Sequence, residues 1–118
     1  VDKVEMGRKA EDLAIKHLLQ QGFRIVERNC RFPQGEIDIV AEDGAYLVFI
    51  EVRSRGNTAF GLPQETVNWT KRQRLRKLAS AYLQRKNDWE RPCRFDCVWV
   101  LFDEKGEMKE IELLRDAF

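Results

Sequence analysis

Two stretches of the chain repeat apolar residues with a helical period, and the stretches around them alternate or run apolar as strands do. From Lys3 to Gln21, Ala10, Leu13, Ala14, Leu18 and Ile15 fall along one stripe. That spacing predicts an amphipathic helix closed by Gly22. Glu11 sits on or beside the stripe, where the simplest reading is a boundary carboxylate near Arg8. From Thr70 to Lys86, Leu75, Leu78, Ala79, Tyr82 and Leu83 predict a second helix, with Thr70 and Gln73 as a capping box.

The remaining pattern is that of strands. Phe23 to Asn29 reads as a strand around Ile25 and Val26, followed by a connection from Asn29 to Gln34 that contains Pro33. Glu36 to Glu42 alternates Ile37, Ile39 and Ala41 with Glu36, Asp38 and Val40. Glu42, Asp43 and Gly44 supply turn chemistry, and Tyr46 to Arg53 follows as an almost wholly apolar strand, as expected of one covered on both faces. A loop is expected from Gly56 to Asn68, with Gly61 and Pro63. Cys93 to Phe102 and Met108 to Leu114 complete the strands across a DEKG turn. The order α-β-β-β-α-β-β describes an α/β fold, a mixed sheet flanked by helices, with residues 1–118 forming one domain.

Composition narrows the class. With 43% hydrophobic and 35% charged residues, the chain has the make-up of a soluble globular protein. It contains no run of about 20 apolar residues and no signal-peptide pattern, so a cytoplasmic protein without a membrane partner is expected. Cys30, Cys93 and Cys97 lack CxxC spacing, and His17 is the only histidine. Free thiols are therefore expected rather than a zinc site. The net charge of +1 conceals a segregation. Arg53 to Arg91 carries ten Lys/Arg against three Asp/Glu, whereas Val1 to Val52 carries seven against ten. A basic middle between acidic flanks suits an anionic partner.

Chemistry gathers on three elements. Glu51 and Arg53 share one face at the end of the apolar strand, about 7 Å apart. A hairpin turning on Asp43–Gly44 puts position 38 near 49 or 50, so that Asp38 and Glu51 lie about one pleat apart. Two carboxylates that close favour a cation between them, and oxygen donors without histidine or thiolate suit Mg²⁺ or Mn²⁺. Ion-paired structural acids are the alternative. Lys71, Arg72, Arg74, Arg76 and Lys77 crowd the first turns of the second helix, against its dipole, which a bound polyanion would resolve; a solvated basic face is the plainer explanation. Arg55, Lys71, Arg72 and Arg74 are the candidate nucleic-acid contacts. Trp69 is expected to pack against Leu75 or the loop rather than stack on a base. Arg94 and Asp96 are expected to form a structural ion pair.

These residues resemble a known family. GRKAEDLA (Gly7 to Ala14), RNCR (Arg28 to Arg31), GEIDIVA (Gly35 to Ala41), VFIEVRSR (Val48 to Arg55), TKRQRL (Thr70 to Leu75) and RFDCV (Arg94 to Val98) are similar to the small bacterial YraN-type family. That family in turn resembles restriction-endonuclease-like PD-(D/E)xK nucleases and Holliday-junction resolvases. The resemblance implies a restriction-endonuclease-like sheet and a Mg²⁺-dependent phosphodiesterase acting on DNA, with branched or recombining DNA as a candidate substrate and a homodimer as its working form. It matches Asp38 and Glu51 to the motif's metal-binding acids and Glu11 to the glutamate of the resolvases' first helix. Arg53 falls where the motif has lysine, and Ile37 where it has proline. Arginine stays protonated where lysine can be tuned, so a nucleic-acid-binding protein of the same fold without turnover remains the alternative. Outside nucleic acids, a domain docking an acidic protein is the third reading.

Overall fold

The computed structural model describes residues 3–56 and 69–118. Helix α1 (Lys3–Gln20) leads into strands β1 (Arg24–Phe32), β2 (Gly35–Asp43) and β3 (Tyr46–Gly56). Helix α2 (Trp69–Lys86) precedes β4 (Cys93–Phe102) and β5 (Met108–Leu114). The expected order is the observed one. The five strands form one sheet in chain order, antiparallel except where β3 runs parallel to β4. A parallel neighbour requires a crossover, and α2 belongs to that connection.

The two helices cover opposite faces. Ala10, Ala14 and Leu18 of α1 pack with Ile39, Ala41, Val48, Ile50, Val98 and Val100. Leu75, Leu78, Ala79 and Tyr82 of α2 pack with Ile37, Val40, Leu47, Phe49 and Cys97 on the other face. The apolar run Leu47–Ile50 is wholly buried because its side chains feed the two cores in turn. Phe49 stacks on Phe95 and meets Tyr82 edge-on. All three cysteines are free, with Cys30 and Cys97 buried. Burial pushes the Cys97 thiol up to about 12, which keeps it a packing group. No helix among the described residues is long and apolar enough to cross a membrane.

Helix α1 ends in a Schellman motif. Gly22, at φ +93°, donates to the Leu19 carbonyl, and Phe23 donates to that of Leu18. Helix α2 begins at Trp69, so Thr70 lies inside it and is not the cap expected from the sequence; the residue before Trp69 lies outside the described residues. Most of the loop expected from Gly56 to Asn68, including Gly61 and Pro63, lies there too, and Gly56 itself ends β3.

The first strand is longer than expected. Residues 29–32 continue β1, with Cys30 opposite Ile37 and Phe32 opposite Gly35, where a connection was predicted. The strand survives because Asn29 adopts φ +50°, a left-handed conformation that asparagine tolerates, instead of ending the ladder. The hairpin turn is also displaced by one residue. Asp43 pairs with Tyr46 around Gly44–Ala45, with Gly44 at φ +60°.

Arg94 and Asp96 form the expected ion pair. The Asp96 carboxylate is fully buried and accepts from Arg94 Nε at 2.9 Å and from the Asp116 amide at 2.9 Å. Arg94 also reaches Asp43 at 2.8 Å, fastening β4 to the hairpin. Arg94→Gln would leave a buried carboxylate short of its cation. A loss of about 3 kcal/mol is expected, read as a lower urea midpoint at unchanged slope.

Candidate functional site

The β2–β3 ladder runs from Asp43↔Tyr46 to Ile39↔Ile50 and stops. One residue beyond, the Asp38 Oδ2 accepts the Val52 amide at 2.8 Å, so a side chain takes over where backbone pairing ends. The strand's alternation also breaks here. Ile37 and Val40 both enter the α2-side core while Ile39 enters the other. The sequence reading, which put Ile37 and Ile39 on one face, is corrected by this twist. The observed register, counted one residue past the last pair, matches position 38 to 51 and not to the 49 or 50 inferred from a turn on Asp43–Gly44.

Between this part of the sheet and α2 is a cavity of about 70 Å³, room for several waters. Glu36, Asp38 and Glu51 line it from the sheet, and Lys71 and Arg74 from α2. Ile50, Leu75 and Leu78 supply its apolar lining. Burial pushes the Asp38 carboxyl up to about 7, helped by the charges of Glu51, Glu11 and Glu36 and opposed by the Val52 N–H. Glu51 has two arginine partners at 3.6 Å, Arg53 Nε and Arg74 Nη2. Arg53 therefore lies beside Glu51, as the strand alternation requires. Arg55 lies two residues further along β3, with its guanidinium 5.9 Å from the Trp99 ring.

Glu11 is placed differently. Its Oε1 accepts from Asn29 Nδ2 at 2.9 Å and from Arg28 Nη2 at 3.2 Å, so its partners are on β1 and not the Arg8 expected from the helix. Its charge nonetheless reaches Asp38. The basic helix divides as well. Lys71 and Arg74 line the cavity, while Arg72 is exposed on another side of α2 and is not among its lining residues. Trp69, expected to pack, has 73% of its surface exposed.

Among the described residues no group of three or more His, Cys, Asp and Glu is placed to hold a metal ion. A hard divalent cation does not require such a group, because Mg²⁺ commonly uses one or two carboxylates and completes its shell with water and phosphate oxygens. Asp38 and Glu51 fit that pattern: two oxygen donors in a small cavity, with Asp38 poorly solvated and the Val52 N–H compensating its charge only in part. Glu36 is the residue the sequence reading missed. Its i, i+2 spacing from Asp38 was the available signal.

The family model described as Uncharacterised protein family UPF0102 matches residues 10–100. A UPF0102 protein of Moorella thermoacetica is 47% identical over 112 residues, covering 95% of this chain and 93% of its own length. One from Desulforamulus reducens is 41% identical, covering 99% and 98%, and one from Pelotomaculum thermopropionicum is 44% identical, covering 96% and 94%. The family match thus runs from within α1 to near the end of β4, and the relatives match almost the whole length. The chain belongs to the uncharacterised protein family UPF0102.

Proposed function

We propose that this protein is a Mg²⁺- or Mn²⁺-dependent DNA endonuclease. The observation that carries the reading is the meeting of Asp38 and Glu51 in one cavity whose α2 side is basic. Acids that hold a cation beside cations that hold phosphates form the arrangement phosphodiester hydrolysis needs. Asp38 and Glu51 would ligate the ion, and Glu11 would act on it through water. When bound, the ion supplies a Lewis acid that activates water and neutralises phosphoryl charge.

The chain's own groups do the rest. Arg53, held beside Glu51, is permanently protonated and serves as a donor to the scissile phosphate, not as a base. Lys71 and Arg74 hold the adjoining backbone, with Arg55 and Arg72 further out. Two copies related by a two-fold axis would offer paired sites to a branched DNA.

The test is purified protein with Mg²⁺, Mn²⁺ or EDTA on linear, flapped and four-way DNA. Ion-dependent cutting of at least one supports the reading, and none on any sinks it. Arg53 at the lysine position motivates a second reading, a DNA-binding protein without turnover, which predicts affinity but no cutting.

Both readings share a prediction about the helix. Lys71, Arg72 and Arg74 changed together to alanine should weaken DNA binding and reduce the slope of log K against log salt by about 2 to 3. An unchanged slope would mean that α2 does not meet the backbone.

A further inference from the structure

Trp69 opens α2 with 73% of its surface exposed, more than any other large hydrophobic residue among those described. An indole is costly to leave in water, so its place on the molecule asks for an explanation. Counting along the helix, Arg72 and Arg76 follow at i+3 and i+7, on the same stripe as Trp69. Lys71 and Arg74 take another side of the same turns and line the cavity with Asp38 and Glu51. At 3.6 residues per turn Lys71 and Arg74 are turned about 200° and about 140° from Trp69, so a strand that meets all three crosses the first turns of α2.

Exposure alone would not distinguish this residue. Trp89 is 56% exposed as well, but it stands past the other end of α2 between Asp88 and Glu90. Its nearest neighbours in sequence are carboxylates, Asp88 being paired with Arg91, whereas the charged residues that follow Trp69 in α2 are all cations. A duplex keeps its bases stacked inward and presents no base face to a flat aromatic ring. An unpaired base presents a whole face, and tryptophan interleaved with cations is how single strands are gripped without sequence preference.

We infer that Trp69 stacks on an unpaired nucleobase of a DNA strand whose backbone passes Lys71 and Arg74, so that the site takes DNA with a single-stranded segment next to the scissile phosphate. This rests on the proposed nuclease reading and names its substrate class.

Fluorescence anisotropy in EDTA tests it, using a labelled single-stranded 20-mer and the same sequence as duplex. Trp69→Ala should weaken single-strand binding roughly 5- to 150-fold and duplex binding less than about twofold by the same stacking argument. Trp69→Phe, which retains a ring, should recover most of the loss, and Trp89→Ala should change neither. Far-UV circular dichroism of each variant checks that it is folded. Equal weakening of both DNA forms by Trp69→Ala, or weakening of neither, overturns the inference. If wild type binds duplex but not single strand, the inference falls while the nuclease reading stands. If it binds neither, the inference falls, and the ion-dependent cutting assay decides the nuclease reading.

Discussion

Asp38→Asn combined with Glu51→Gln should abolish ion-dependent DNA cleavage, by about 10³-fold or more, in a protein that still folds. The magnitude follows from what the two carboxylates are asked to hold. A divalent ion at a phosphoryl centre supplies several kcal/mol of charge stabilisation, and each 1.36 kcal/mol is a factor of ten in rate. The fold should survive because neither change removes packing. Asparagine keeps an oxygen for the Val52 amide that Asp38 now accepts at 2.8 Å. Glutamine keeps the volume of Glu51 and an oxygen to accept from Arg53 and Arg74, whose pairs with it are long at 3.6 Å. Far-UV circular dichroism and the urea midpoint would establish the fold; gel assays on flapped and four-way DNA would establish the rate. Cleavage by the double variant at the wild-type rate would remove these carboxylates from the chemistry. The helix triple variant supplies the contrast. It should raise the DNA concentration needed for half-maximal cutting, with a smaller effect on the rate at saturation.

The sequence revealed most where the pattern was periodic and least where one residue departed from it. The stripes of α1 and α2 and the buried run Leu47–Ile50 were legible because burial on a helix or a two-faced strand imposes a repeat over many positions. The bounds of β4 and β5 were legible because turn residues punctuate them. Asn29 was not. Whether an asparagine ends a strand or bends it depends on what its side chain meets, and here it meets Glu11, eighteen positions earlier on α1. The face change between Ile37 and Ile39 has a similar origin, since it occurs where β2 parts from β3 and the Asp38 carboxylate replaces a backbone partner. A turn misplaced by one residue was enough to offset Asp38 from Glu51. Those irregularities shape the site: where the ladder ends, Asp38 of β2 and Glu51 of β3 line one cavity under α2. Glu36 went unnoticed because a strand-end glutamate usually faces water; here it pairs with Arg31 at 3.3 Å and also lines the cavity.

Stability should fall as pH rises from about 4 to about 7, and a divalent ion should reverse the fall. The folded-state value of the Asp38 carboxyl, about 7, stands above the 3.8 of an unperturbed aspartate. Between those values the native state holds a proton that the unfolded chain has released, so each step up in pH favours unfolding; above about pH 7 both states are ionised and the penalty is constant. Over the whole window the effect is on the order of 4 kcal/mol, or on the order of 15 °C in melting temperature for a domain of this size. Other groups titrate too, so the measurement is the difference between wild type and Asp38→Asn. The variant should melt well above wild type at pH 8, and the gap should close toward pH 4. Mg²⁺ or Mn²⁺ binds the ionised carboxylates and competes with the proton. At a hundred times its dissociation constant it should return about 2.7 kcal/mol to wild type at pH 8, while leaving Asp38→Asn almost unmoved. A melting difference that stays flat from pH 5 to 8 would show that Asp38 is better solvated than its cavity suggests. An equal ion response in both proteins would place the cation elsewhere.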